Sequence, residues 1–143
     1  MGVPLRARWL IGLAMLTAVA AASCSPAAPA PSAFSMPPAS AGADVVLDTY
    51  LRLLVAGDCT DGRKLTTATF VKGNGELCGD ARVSDYKINP EPAGGGTEQV
   101  YATTLTTGGS SDGSIQAGTM TWFYSLDQQP DGSWRIAGGG SGP

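Results

Sequence analysis

Residues 119–138 read TMTWFYSLDQQPDGSWRIAG and carry the clearest strand pattern in the chain. Large apolar side chains recur at every second position of Thr119–Asp127, which is typical of a β-strand with one buried face. The inward face of this strand carries Met120, Trp122, Tyr124 and Leu126. The run QQPDGS has the turn-forming residues of a hairpin connection. A second strand follows, with Trp134 and Ile136 on one side, so the stretch predicts an antiparallel hairpin.

Two further strands are predicted upstream of this hairpin. The segment ARVSDYKIN, residues 81–89, carries Val83, Tyr86 and Ile88 and ends before a proline. The segment EQVYATTLTT, residues 98–107, is rich in the β-branched and aromatic residues that strands prefer. The glycine-containing runs PEPAGGGT and GGSSDGSIQAG, which separate the strands, are predicted to be turns.

The region before the strands is predicted to be helical. In ADVVLDTYLRLLVAGDC, residues 43–59, apolar side chains recur at helical spacing and form one stripe. This stripe consists of Val46, Tyr50, Leu53 and Leu54. Gly57 suits the left-handed position that ends a helix. A second, short helix is predicted over about Thr60–Thr67, with Leu65 facing inward.

Helices that precede strands, all joined by short connections, indicate an α+β domain over residues 43–143. We expect N-terminal helices packed on one face of a curved antiparallel sheet of about four strands. A domain of about 100 residues buries enough surface for one modest core.

The order of elements resembles the nuclear transport factor 2-like (cystatin-like) fold, in which a long helix precedes a curved sheet that forms a cone. The resemblance lies in DTYLRLLVAGDC at 48–59, the strand residues YKI at 86–88 and the terminal hairpin YSLDQQPDGSWRIAG at 124–138. Small actinobacterial lipoproteins of unknown function are similar in the order of their parts. The resemblance implies a cone that is either a ligand pocket or the active site of a small enzyme.

The N-terminal residues 1–23 are predicted to be a lipoprotein signal peptide. Arg6 and Arg8 form a basic region, and an apolar run of about 14 residues follows, whereas a membrane-spanning helix needs roughly 20. Small residues then precede Cys24, as in the lipobox that directs lipidation of a cysteine. An uncleaved anchor and an ordinary secretory signal are the alternatives. We expect a lipid on Cys24 and a location on the outer face of the cell membrane.

Residues 24–42 contain the lipidated cysteine and a spacer rich in proline and alanine. The spacer has five prolines and no charged residue. Because proline removes backbone donors and favours an extended form, we expect a semi-rigid tether that reaches on the order of 50 Å.

The charge of the chain disfavours nucleic acid as a partner. Without Arg6 and Arg8, seven of the nine basic residues remain against twelve acidic ones. Nucleic-acid binding requires clustered cations that displace counterions from phosphates, and no such cluster is visible.

Cys59 and Cys78 are predicted to form a disulfide. With Cys24 lipidated, they are the remaining pair in an oxidising compartment. A redox or metal role is the alternative, but the chain has no Cys-x-x-Cys motif and no histidine, so we expect no metal and no cofactor.

Catalysis in enzymes of the resembled fold, such as ketosteroid isomerase and scytalone dehydratase, relies on a carboxylate inside the cone. Without histidine, that role would fall to Asp48, Asp85 or Glu98, assisted by tyrosine. Asp48 lies on the polar side of the first helix, and strand alternation places Asp85 opposite Tyr86. We therefore favour solvated surface charges over an isomerase- or dehydratase-type enzyme.

Aromatic side chains are the remaining functional candidates. Tyr50, Trp122, Tyr124 and Trp134 fall on apolar faces and so suit core packing, but they could also line a pocket at the mouth of the cone. We expect a non-catalytic module that binds an envelope protein or a small apolar ligand.

Overall fold

The computed structural model describes residues 34–142. The predicted signal peptide and Cys24 lie outside the described residues. The described part is an α+β domain with few helices and an open antiparallel sheet of five strands. Its helices are α1 (Ala43–Ala56) and α2 (Cys59–Gly62), with 3-10 turns at Arg63–Leu65 and Lys72–Asn74. Its strands are β1 (Ala81–Ile88), β2 (Ala93–Gly95), β3 (Glu98–Ser110), β4 (Ala117–Gln128) and β5 (Trp134–Gly140).

Helix α1 buries the apolar stripe that the sequence predicts. The buried side chains include Val46, Tyr50, Leu53 and Leu54, and the helix contacts β1 and β5. Gly57 ends the helix in the left-handed conformation, with φ at 73°. The amide of Gly57 donates to the carbonyl of Leu54, and that of Asp58 donates to the carbonyl of Leu53. These two bonds satisfy carbonyls that a helix end leaves unpaired.

The second helix is shorter than its predicted extent of Thr60–Thr67. An α-helical turn covers Cys59–Gly62, and a 3-10 turn carries the chain on to Leu65, which is buried as predicted. Three threonines among the following residues disfavour a longer helix, because β-branched side chains lose rotamer freedom there.

The strands are arranged in the order β1-β3-β4-β5, and each neighbouring pair is antiparallel. Strand β2 pairs with β3 beyond the end of β1. The expectation of about four strands is therefore too low. Strand β2 forms inside PEPAGGGT, where the sequence predicted only a turn, because the backbone of Ala93–Gly95 pairs with residues 98–100 of β3. Glycine contributes no side chain to a pattern, so periodicity cannot reveal such a strand.

Strand β1 contains a bulge that explains its uneven apolar spacing. Val83 pairs with Thr107, whereas Asp85 pairs with Thr106, so one extra residue, Ser84, is accommodated in β1. A bulge reverses the alternation of faces. Val83 is buried, and Tyr86 and Ile88 pack partly buried against the same core. Without the bulge, Val83 and Tyr86 would lie on opposite faces of β1, because they are three positions apart.

The end of the segment that the sequence predicts as a spacer lies against the domain. We call residues 34–41 the strap. Phe34 and Ala41 are partly buried and pack against the hydrophobic core. A turn at the end of the strap is closed by a 2.9 Å hydrogen bond from the amide of Ala41 to the carbonyl of Pro38. Proline content alone predicts an extended chain, but the apolar surface of Phe34 favours contact with the core.

Candidate functional site

The four aromatic residues predicted to line a pocket do not share one. Tyr50 and Tyr124 are fully buried in the core, whereas Trp122 and Trp134 are half-buried and border two separate surface clefts. Trp122 and Trp134 also pack, partly buried, against the core.

The space between Tyr50 and Tyr124 is filled by aromatic contacts. Their ring centroids are 5.7 Å apart, and both rings lie close to Phe70, at 5.9 Å from Tyr50 and 6.3 Å from Tyr124. The two contacts of Tyr50 are edge-to-face, which suits the quadrupoles of the rings. This part of the interior is therefore a packed aromatic cluster.

The hydroxyls of Tyr50 and Tyr124 are buried without a hydrogen-bond partner. Burial raises the pKa of both phenols well above the ordinary value. The negative charge of Glu76 raises the pKa of Tyr50 further, and Arg63 opposes this effect. Both phenols are therefore neutral at physiological pH and are poor candidates for a proton-accepting group.

The Trp122 cleft is a surface depression of about 360 Å³. Its apolar lining comes from Leu77, Ile115, Met120 and Trp122, and its polar lining includes Lys72, Glu76 and Asp80. Lys72 forms ion pairs with Asp80 at 2.6 Å and with Asp112 at 3.2 Å. These ion pairs link the 3-10 turn at Lys72–Asn74 to Asp80, which precedes β1, and to Asp112, which lies between β3 and β4.

The indole of Trp122 lies over the end of β5. A β-carbon built on Gly139 would lie 2.9 Å from the indole nitrogen, so this position has no room for a side chain. Gly75 also approaches Gly139 closely, because a β-carbon on Gly75 would overlap the Gly139 carbonyl group. The glycines at the end of β5 therefore allow Trp122 and the loop around Gly75 to close on the strand.

Glu76 is the one charged residue that is buried within the range 34–142, and the sequence analysis did not single it out. Its carboxylate accepts a 2.8 Å hydrogen bond from Nε of Arg63, whose own side chain is mostly exposed. The signal in the sequence is weak, because Glu76 stands in a loop without periodicity and its partner is 13 residues away.

The Trp134 cleft has a volume of about 320 Å³ and lies between the strap and the domain. Residues 36–39 of the strap form one wall. Val46, Leu65 and Trp134 form the apolar part of the other wall, and Lys64 and Arg135 stand at its edge. Nη1 of Arg135 donates to the carbonyl of Lys64, which fixes the arginine beside the cleft.

The three carboxylates considered for catalysis do not meet in a cavity. Asp85 and Glu98 are exposed on the sheet. Asp48 is half-buried on α1, where its carboxylate accepts a 2.7 Å hydrogen bond from the hydroxyl of Tyr86 and forms a 2.7 Å ion pair with Arg52. The solvent-facing placement predicted for Asp85 is confirmed, since it lies on the opposite side of β1 from the partly buried Tyr86.

The disulfide between Cys59 and Cys78 is present, as the sequence predicts, with Cα atoms 5.5 Å apart. It joins the first residue of α2 to the turn that leads into β1. Over residues 34–142, no group of three or more potential metal-ligating side chains converges. The same range contains no helix that is long and apolar enough to cross a bilayer.

No known protein family, curated protein or solved structure matches this chain.

Proposed function

We propose that this protein is an exported lipoprotein, anchored by a lipid on Cys24 to the outer face of the cell membrane, whose domain acts by binding and not by catalysis. Its partner is an envelope protein or a small apolar ligand. The lipobox-like sequence before Cys24 supports the anchor, and the Cys59–Cys78 disulfide supports an oxidising compartment. The helix-then-sheet order supports the resemblance to the nuclear transport factor 2-like fold, including its cone, as a further part of the proposal.

One observation carries the choice of binding over catalysis. The Tyr50, Phe70 and Tyr124 rings pack against one another in the interior, and the three carboxylates considered as catalytic candidates lie outside this cluster. An acid–base enzyme needs a carboxylate held beside its substrate in a site that excludes water. Among the surface clefts of the described residues, the Trp134 cleft is lined mainly by apolar side chains. The Trp122 cleft combines four large apolar side chains with charged and polar ones.

Glu76 favours the alternative, a small isomerase- or dehydratase-type enzyme. It is a buried carboxylate beside the apolar lining of the Trp122 cleft. The ion pair with Arg63 weighs against this role, because the carboxylate is already engaged in a 2.8 Å contact between two loops of the domain. We therefore assign Glu76 to holding the loop around residues 72–76 against the 3-10 turn at Arg63–Leu65.

Site-specific photo-crosslinking in the envelope of the producing cell tests the proposal. A photoreactive amino acid replaces Met36 at the Trp134 cleft or Met120 at the Trp122 cleft, one at a time. Thr119 provides the matched control, because it is adjacent to Met120 and lies on the opposite, exposed face of β4. We expect a discrete adduct, either a protein or a small molecule, from at least one cleft position and none from Thr119.

Equal labelling at all three positions would contradict a specific binding cleft, since it would report random encounters. The enzyme alternative makes a different prediction. Glu76→Gln should then abolish turnover of any compound captured at Met120 while leaving the adduct itself in place.

A further inference from the structure

The strap and the domain together enclose the Trp134 cleft, and neither forms it alone. The cleft has residues 36–39 on one side and residues of α1, the 3-10 turn and β5 on the other. Phe34 anchors the start of the strap on the core, and Ala41 packs at its end. The cleft is therefore closed on one side by a segment that is held at both ends.

The lining combines an apolar body with a positive edge. Seven of the ten lining residues are apolar, and the three polar ones are Lys64, Ser133 and Arg135. The lining thus includes two cationic side chains and no acidic one.

Two acids outside the lining contact polar residues of the lining. Asp61 pairs with Lys64 at 2.5 Å, and Asp131 accepts hydrogen bonds from the amide and hydroxyl of Ser133 at 3.0 and 2.7 Å. Arg135 has no ion pair within 4.0 Å among the described residues and is held by the carbonyl of Lys64. Arg135 therefore contributes positive charge to the lining of the cleft.

We propose that the Trp134 cleft binds a small apolar anion, a compound with an aromatic or aliphatic body and a single carboxylate, and that the strap is its lid. The apolar body lies between Trp134 and the prolines of the strap, and the carboxylate faces Arg135 and Lys64. This assignment rests on the proposed binding function and specifies its ligand class. A volume of about 320 Å³ fits a molecule of roughly the size of a bicyclic aromatic acid.

Fluorine NMR of the full chain, labelled with 5-fluorotryptophan and kept in non-ionic detergent, tests the proposal. The probe is 2-naphthoate, and the uncharged 2-naphthamide is its matched control. The spectra of Trp134→Phe and Trp122→Phe assign the two tryptophan resonances of the domain. We expect naphthoate to shift the Trp134 resonance in a saturable manner, the amide to bind at least about fivefold more weakly, and the Trp122 resonance to stay in place.

Two pairs of variants test the contributions of the positive charge and of the strap to naphthoate binding, each against a matched control. Lys64→Gln should weaken naphthoate binding roughly fivefold, whereas Lys87→Gln, which removes a cation from the outer face of β1, should leave it unchanged. Phe34→Asp should release the strap and weaken binding more than Ser35→Asp, which adds the same charge at an exposed neighbour. An unchanged Trp122 resonance shows that each variant remains folded.

A Trp134 resonance that does not move, or that moves equally with acid and amide, would overturn the anion site. Equal binding by the Phe34→Asp and Ser35→Asp variants would overturn the lid. In either case an adduct at Met120 in the crosslinking experiment would leave the proposed binding function intact. The absence of adducts at both clefts would refute that function separately.

Discussion

The hydroxyls of Tyr50 and Tyr124 are two of the three polar side-chain atoms that are buried without a hydrogen-bond partner among the described residues; the third is the indole nitrogen of Trp122. A buried hydroxyl without a hydrogen bond costs on the order of 1 kcal/mol or more. Replacing either tyrosine with phenylalanine removes this cost and preserves the aromatic contacts. We expect Tyr50→Phe and Tyr124→Phe to keep the free energy of unfolding or raise it by about 1 kcal/mol, measured by urea unfolding at pH 7.

Tyr86→Phe is the matched control for these variants. The hydroxyl of Tyr86 donates to Asp48 at 2.7 Å, so its loss should lower the free energy of unfolding by about 1 kcal/mol. A comparable loss in Tyr50→Phe or Tyr124→Phe would contradict the account. It would show that a buried water or another group pairs with the hydroxyl.

The same two tyrosines give the domain an alkaline pH dependence. Burial raises the pKa of both phenols in the folded state above the value of about 10 that applies to the unfolded chain. Above pH 10 the unfolded state loses these protons and the folded state keeps them, so the free energy of unfolding falls as pH rises. The fall should be smaller in Tyr124→Phe than in the unsubstituted protein when urea midpoints at pH 8 and pH 10.5 are compared.

At the scale of the elements, the disulfide is the strongest local constraint. It closes a loop of about 20 residues that contains α2, both 3-10 turns and Glu76, a region with few regular hydrogen bonds of its own. Replacing both cysteines with serine should lower the free energy of unfolding by about 3 kcal/mol in urea unfolding.

The reduced, unsubstituted protein is the control for the double serine variant. The two should be equally destabilised, because both lack the bond and differ only in side-chain chemistry. Two free thiols in protein isolated oxidised from the envelope, found by peptide mapping without reductant, would contradict the disulfide.

The elements that the sequence predicts well are those with regular apolar periodicity. Helix α1 and the β4–β5 hairpin are recognisable because Tyr50 and Leu54, or Trp122 and Tyr124, repeat at the spacing of their own element. The sequence also predicts strand β1. It does not predict the bulge at Ser84, because an extra residue interrupts the alternation of faces on which the prediction depends.

The candidate site is less predictable than the fold, because periodicity within one element does not show which residues of different elements lie together. The sequence suggests Trp122 and Trp134 as possible lining, but they border different clefts. Trp134 pairs with Gln128, which lies six residues along β4 from Trp122, so the two indoles are far apart on the sheet. Glu76 and the strap lie in segments without periodicity, and only tertiary contacts reveal their burial. The proline and alanine content of the strap predicts a spacer and gives no indication that Phe34 packs against the core.

At the scale of the whole molecule, the docked strap shortens the proposed tether. Because residues 34–41 lie on the domain, the segment left to act as a tether after Cys24 is residues 25–33. A proline-rich chain rises by about 3 Å per residue when extended, so we expect this tether to reach on the order of 30 Å at most. With the proposed lipid on Cys24, such a tether would keep the domain close to the membrane. The Trp134 cleft lies beside the strap, which follows the tether in the sequence.

The proposed function requires the domain to be held by a lipid anchor on the outer face of the membrane. Intact-mass spectrometry of the protein extracted from the envelope tests this anchor, with Cys24→Ala as the variant that should block maturation. We expect a mature chain that begins at Cys24, carries a lipid on that residue and has Cys59 and Cys78 oxidised. A chain that retains residues 1–23, or a mature chain without lipid on Cys24, would contradict it.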